Sequence, residues 1–118
     1  MAVPSLPEKF KELNDLREKA KLGGGVEAIE KQHKGGKLTA RERIDKLLDK
    51  DSFVEVDQFV VHHCFDFDMD KKRVMGDACV TGYGTVDGRP VFVYAQDFTF
   101  VGGSLGEMQE RKITKIQD

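Results

Sequence analysis

A mixed α/β fold, α+β within these 118 residues, is what the sequence predicts, and three observations carry that expectation. Apolar residues at helical spacing follow S-x-x-E and T-x-x-E signatures. Two strand-like runs flank Asp87-Gly88. The second of those runs feeds a glycine-rich loop that leads into another helical pattern. A composition that is 39% hydrophobic and 34% charged suits one globular domain with a small core.

In SLPEKFKELNDLREKA, the residues Leu6, Phe10, Leu13, Leu16 or Arg17, and Ala20 fall at helical spacing. Ser5 and Glu8 form a capping box, and Pro7 is tolerated in the first turn. The spacing predicts an amphipathic helix ended by Gly23-Gly24-Gly25. A short helical piece around Val26, Ile29 and His33 follows and stops at Gly35-Gly36. In KLTARERIDKLLDKDSF, Thr39 caps, Glu42 completes a second box, and Ile44, Leu47 and Leu48 make one apolar face.

Phe53 to Val56 and Phe59 to Val61 have strand character, whereas His62 to Lys72 is polar without a period and reads as a loop. ACVTGYGTV and RPVFVYAQD around Asp87-Gly88 predict a hairpin with a type I′ turn. Val91, Val93 and Ala95 alternate with Phe92 and Tyr94, so the second strand is expected inside the sheet and buried on both faces. A third box, Ser104 to Glu107, then opens a helix that runs to Asp118 without a Gly, Asn or Pro stop. A strand, a glycine loop and a helix begin a βα unit whose parallel partner is not among these residues, so the fold is expected to be completed elsewhere.

Nineteen Lys and Arg against 21 Asp and Glu give a formal charge of -2, which offers no electrostatic footprint for nucleic acid. No apolar run approaches a membrane span, and MAVPSLPEKFKELN has neither the basic nor the apolar region of a signal peptide. A cytoplasmic setting is the resulting expectation. Cys64 and Cys79 form no C-x-x-C pair and read as ordinary reduced thiols.

Gly102-Gly103-Ser104-Leu105-Gly106 spells the G-x-S-x-G of a hydrolase elbow, yet Phe98 to Gly103 separate Ser104 from Asp97 and every histidine precedes it. A helix cap is the better reading of Ser104, with the glycine loop leaving backbone N–H groups in the positive field of a helix N-terminus. Gly82-x-Gly84 precedes a hairpin turn rather than a helix, so it reads as strand geometry and not as a dinucleotide site. His62, His63, Cys64, Asp66, Asp68 and Asp70 resemble a metal cluster, but Lys71 takes the place of the glycine that a calcium loop requires. A solvated acidic loop with no metal is the expectation there.

The linked motifs TARERID, GDACVTGYGTVDGRPV and QDFTFVGGSLGE resemble the N-terminal part of biotin-dependent acyl-CoA carboxyltransferase subunits, over the stretch from about His33 to the end. These are the carboxyltransferase chains of propionyl-CoA carboxylase and methylmalonyl-CoA decarboxylase. The resemblance implies a crotonase-like fold of stacked ββα units. Within it, 1–36 would be an N-terminal helical segment and 37–118 the start of the carboxyltransferase N-terminal domain.

It also implies a coenzyme A thioester as substrate, lying along a loop with Phe98, Thr99, Gly102, Gly103, Ser104, Leu105 and Gly106 as the binding residues. Biotin, on a separate carrier protein or domain, would exchange its carboxyl group with the α-carbon of the thioester. Backbone N–H groups would stabilise the oxyanions without a catalytic side chain from this stretch. The downstream oxyanion donors and the biotin-holding half lie beyond Asp118, so these 118 residues alone are expected to be inactive. Implied partners are acyl-CoA, biotin carboxyl carrier and biotin carboxylase components, and further copies of the chain in a hexamer. The rival expectation is a non-catalytic interaction module of a larger complex. Three departures from the family pattern stand out: Met75 where it usually has proline, Ala78 where it usually has glycine, and FTFVGGS where it usually has FTVFGGS.

Overall fold

The computed structural model describes residues 3–62, 74–100 and 106–118. Among the described residues, four helices and three strands occur in the order α1 (Leu6–Lys21), α2 (Val26–Lys34), α3 (Ala40–Leu47), β1 (Val54–Val56), β2 (Cys79–Val86), β3 (Arg89–Gln96) and α4 (Glu107–Gln117). The expected mixture of helices and a hairpin is what the residues form.

Helix α1 begins where its capping box places it. Ser5 Oγ accepts from Glu8 N while Glu8 Oε2 accepts from Ser5 N at 2.6 Å, satisfying two of the orphan amides of the first turn. Helix α3 begins at Thr39, whose hydroxyl oxygen accepts from Glu42 N. The second half of that box does not close. Glu42 Oε1 instead accepts from the Thr39 hydroxyl at 3.0 Å and lies 2.6 Å from His33 Nε2, which ties α3 to the end of α2. These contacts, the one to His33 foremost, hold the Glu42 carboxyl below its ordinary range.

The apolar face of α3 is also narrower than its spacing suggests. Ala40 and Ile44 are buried one turn apart and Leu48 continues that line, but Leu47 is 56% exposed. The helix stops at Leu47 and Leu48 turns extended, so the face is set by the i, i+4 line rather than by both leucines. Ala40, Ile44, Leu48 and Val80 form the core, with Phe53, Val86, Val91, Val93 and Ala95 packed around it.

The sheet is antiparallel with the order β1-β2-β3. In the β2–β3 ladder Cys79 faces Gln96 and Val86 faces Arg89. Asp87 and Gly88 both have positive φ, 50° and 78°, as a type I′ turn demands. The turn has an anchor that sequence spacing does not reveal. The Asp49 carboxylate accepts from Thr85 Oγ1 at 2.6 Å, Asp87 N at 3.0 Å and Gly88 N at 2.9 Å. Those donors lower the Asp49 pKa, the Thr85 hydroxyl most of all.

Two strand expectations need correction. Among the described residues β3 is an edge strand, with Phe92 67% exposed, and the central, buried strand is β2. Small residues explain why β2 takes the centre. A Cβ at Gly82 would stand 2.2 Å from the Val54 carbonyl oxygen and one at Gly84 2.8 Å from Leu48, so glycine admits β1 and α3 to contact. Gly82-x-Gly84 is therefore packing geometry, as expected.

Phe59 to Val61 is not a strand. Asp57 turns left-handed at φ 58° and the Val60 carbonyl accepts from Gly76 N at 2.8 Å, which bends the chain away from the sheet. His62 is buried; His63 to Lys72, including Cys64 and the acidic cluster, lies outside the described residues. No helix among the described residues is long and apolar enough to cross a membrane.

Candidate functional site

β3 runs out at Gln96 and delivers Asp97, Phe98 and Thr99 to the end of the sheet. Asp97 Oδ1 accepts from Thr99 N at 2.9 Å and from Thr99 Oγ1 at 2.5 Å, an Asx turn that shapes the start of the loop from its own sequence. A second element then presses on it. Gly24 N donates to Thr99 Oγ1 at 2.9 Å. A Cβ at Gly24 would lie 1.8 Å from the Thr99 carbonyl oxygen, and one at Gly23 2.3 Å from Asp97 Oδ2. The glycine run that ends α1 is thus also a close seat for the candidate loop.

Phe98 is 49% exposed and lies beneath the Arg43 guanidinium, 5.9 Å from ring centroid to Cζ. Arg43 is itself held by a 2.7 Å hydrogen bond from Nη2 to the Gln96 carbonyl. Together with Gln32, Lys37 and Leu38 they line an open cleft of about 430 Å³. One aromatic face and two cations at its rim suit a flat, anionic ligand.

At the far end of the loop the N-cap of α4 is Gly106, not Ser104, and the helix starts at Glu107. This corrects the expected S-x-x-E box. The residue at the third helical position is Gln109, whose Oε1 accepts from Gly106 N at 3.2 Å, so the side-chain half of the box is supplied from inside the helix. Gly102, Gly103, Ser104 and Leu105 lie outside the described residues; of the expected binding residues, the structure describes Phe98, Thr99 and Gly106.

Helix α4 is moored by polar groups rather than by an apolar stripe alone. Gln109 is buried and its Nε2 donates to the Ala78 carbonyl at 3.2 Å. Lys112, 2% exposed, donates from Nζ to the Gly76 carbonyl at 2.7 Å and to the Cys79 carbonyl. These carbonyls belong to or directly follow one turn, Gly76-Asp77-Ala78, in which three successive residues have positive φ, 92°, 47° and 60°. The same Ala78 carbonyl accepts from Asp97 N at 2.6 Å. Burial pushes the pKa of the Lys112 ammonium down and that of the Cys79 thiol up. That shift and its burial both disfavour the Cys79 thiolate.

Sequence reading did not find Gln109, Lys112 or the second use of Gly23 and Gly24. A glycine followed three residues later by glutamine does match a capping pattern, and that signal could have located the helix start. Among the described residues no group of three or more His, Cys, Asp or Glu side chains could hold a metal ion. What the site offers chemically is a helix N-terminus, backbone amides, a cationic rim and an aromatic face, which bind and orient anions.

Residues 31–118 match the family described as the carboxyl transferase domain. The chain is similar to methylmalonyl-CoA decarboxylase subunit alpha of Veillonella parvula, 55% identical over 115 residues that cover 98% of this chain and 23% of that protein. It is similar to the propionyl-CoA carboxylase beta chain of Roseobacter denitrificans, 54% identical over 109 residues, 92% of this chain and 21% of that one. Among solved structures it superposes on transcarboxylase 12S, crystallised as a hexamer with methylmalonyl-coenzyme A and methylmalonic acid bound, with a TM-score of 0.93 and 44% identity. That match covers 98% of this chain and 22% of the transcarboxylase chain, and it bears out the expected crotonase-like α/β class. The chain spans less than a quarter of the length of these curated relatives.

Proposed function

We propose, on the premise that the chain belongs to the carboxyl transferase domain family, that it supplies the N-terminal part of an enzyme moving a carboxyl group between biotin and the α-carbon of an acyl-CoA. Propionyl-CoA and methylmalonyl-CoA are the substrates, as the names of its relatives suggest. The observation that carries the reading is the fold match at 44% identity to a transcarboxylase crystallised with methylmalonyl-coenzyme A.

The acyl-CoA lies along 98–106, with Phe98, Thr99, Gly102, Gly103, Ser104, Leu105 and Gly106 as its contacts. The exposed Phe98 ring and the Arg43 and Lys37 cations beside it support this, because coenzyme A brings a flat adenine and several phosphate charges. Biotin, when bound, carries the carboxyl group that is transferred; no described residue is assigned to it. The chain's own part is to bind and orient the thioester through backbone amides, the helix terminus and the cationic rim, with no nucleophile from this stretch. Residues 1–36 form a helical segment ahead of the domain that begins at 37.

The working enzyme is a homo-oligomer in the cytoplasm, a hexamer as in transcarboxylase 12S, served by biotin carboxylase and biotin carboxyl carrier components. An interaction role coexists with this one. Leu6 and Phe10 on α1 are 65% and 58% exposed, an apolar stripe suited to a protein partner.

Hydrogen exchange on the intact protein, with and without propionyl-CoA, tests the site. Slowed exchange from Phe98 to Glu107 is expected. Unchanged exchange there, with binding demonstrated elsewhere, overturns the assignment.

A further inference from the structure

We propose that Gln109 and Lys112 are positioning residues that fasten both ends of the 97–106 segment to a single left-handed turn, Gly76-Asp77-Ala78. The inference deepens the acyl-CoA reading and rests on it for its functional consequence.

The Ala78 carbonyl has two acceptor sites and both are used. One takes Asp97 N, at the residue where β3 gives way to the loop, and the other takes Gln109 Nε2, three residues into α4. Gln109 spends its remaining polar atom on Gly106 N, so a single side chain spans the helix N-cap and the carbonyl that holds the opposite end. Asp97 and Gly106 are nine positions apart, yet both are tied through one carbonyl oxygen and one side-chain amide.

That oxygen is fixed in direction by an unusual backbone. Asp77 and Ala78 are both left-handed, at φ 47° and 60°, a conformation costly for side chains with a Cβ. Lys112 supplies what holds it. Its ammonium bridges the Gly76 and Cys79 carbonyls on either side of the pair, closing the turn with charge-assisted hydrogen bonds in a buried setting. A hydrocarbon side chain at Lys112 would fill the space but take the ammonium donor from the Cys79 carbonyl and leave the Gly76 carbonyl with only its backbone bond from Cys79 N. Gln109 thus ties the loop to the turn, and Lys112 keeps the turn in the shape that presents the tie.

The experiment is amide hydrogen exchange and steady-state kinetics on the intact protein carrying Gln109→Met, Gln109→Glu, Lys112→Met or Lys112→Arg. In Gln109→Met, exchange at Asp97 and Gly106 is expected to quicken about tenfold, the scale of one lost buried hydrogen bond, with the β2–β3 ladder unchanged. Gln109→Glu keeps an acceptor for Gly106 N but lacks the donor for Ala78, so Asp97 quickens while Gly106 stays protected. Lys112→Met quickens both sites, and Lys112→Arg, which can still reach two carbonyls, restores protection.

With propionyl-CoA as the probe, KM is expected to rise about tenfold in Gln109→Met while kcat holds. Quickened exchange with an unchanged KM leaves the fastening in place and counts against the acyl-CoA assignment instead. Exchange that is unchanged at Asp97 and Gly106, or that quickens equally along the ladder, overturns the proposal. If Gln109→Met does not fold, the split between Asp97 and Gly106 in Gln109→Glu decides alone, since general loosening would release both.

Discussion

Helices α1 and α2 bury a single side chain between them, Ala20, whereas α3, β2 and α4 bury Ala40, Ile44, Val80, Thr81, Gln109 and Lys112. The first region is held in shape by its own termini: a capping box at Ser5, basic residues in the last turns, and glycines that stop each helix. The second is held by contacts between residues far apart in the chain, such as Thr81 Oγ1 to the Val56 carbonyl, 25 positions away, and Arg43 to the Gln96 carbonyl, 53 positions away. The two meet where Gly23 and Gly24 lie against Asp97 and Thr99. Capping sets where such helices start and stop, while their apolar stripe is left for something else to cover.

The contrast breaks most sharply in the core. Ile44→Ala removes a side chain 3% exposed beside Leu48 and Val80 and should cost about 2–4 kcal/mol, read as a lower urea midpoint. Phe10→Ala, a larger truncation on α1, should stay within about 0.5 kcal/mol because that ring is already in solvent. Equal losses would mean that α1 belongs to the same cooperative unit as α3.

Gly24→Ala probes the junction. The added Cβ meets backbone, not a flexible side-chain tip, so the seat is expected to open at a cost of roughly 1–3 kcal/mol. Hydrogen exchange should quicken over α1, α2 and Thr99 while the β2–β3 ladder keeps its protection. Loss of protection in the ladder would show that the N-terminal helices support the sheet after all.

Ala78→Gly tests the strained turn and should raise the melting temperature, by about 1 kcal/mol of relieved left-handed strain partly offset by a freer unfolded chain. A lower melting temperature would mean that the Ala78 methyl contributes more by packing than it costs in backbone strain.

The smallest effect is electrostatic. Because the Asp49 pKa is lowered in the folded state, its contribution is present above the ordinary carboxylate pKa and is lost as pH falls through the lowered value. Stability measured from neutral to acid pH should therefore fall less steeply in Asp49→Asn than in the parent. An identical acid slope would remove the hairpin anchor from the account.

Much of the fold is legible in the sequence for a physical reason that these regions share. Ser5-x-x-Glu8, Thr39 and Asp87-Gly88 act through neighbours within four residues, so their chemistry is complete on the linear chain. The three helix starts differ in how well they read, and the failure at Ser104 is instructive. A cap two residues on, at Gly106, wins because Gln109 and Lys112 must face the Gly76–Ala78 turn, a demand made 31 and 36 positions away. The departure at Ala78 looks mild as a letter and becomes a left-handed residue only once the turn is seen.

The sequence by itself determined the class of the fold, the hairpin and its turn, the position of the candidate loop and the family to which the motifs point. Each of those is encoded by periodicity, by capping chemistry or by linked motifs that need no knowledge of distant neighbours. Only the tertiary structure decided that β2 rather than β3 is central, that a run of glycines is a seat for Thr99, and that two buried polar side chains moor α4. Those features depend on which distant backbone carbonyls and amides must be satisfied once water is gone, and a buried hydrogen bond leaves no period in the chain that makes it.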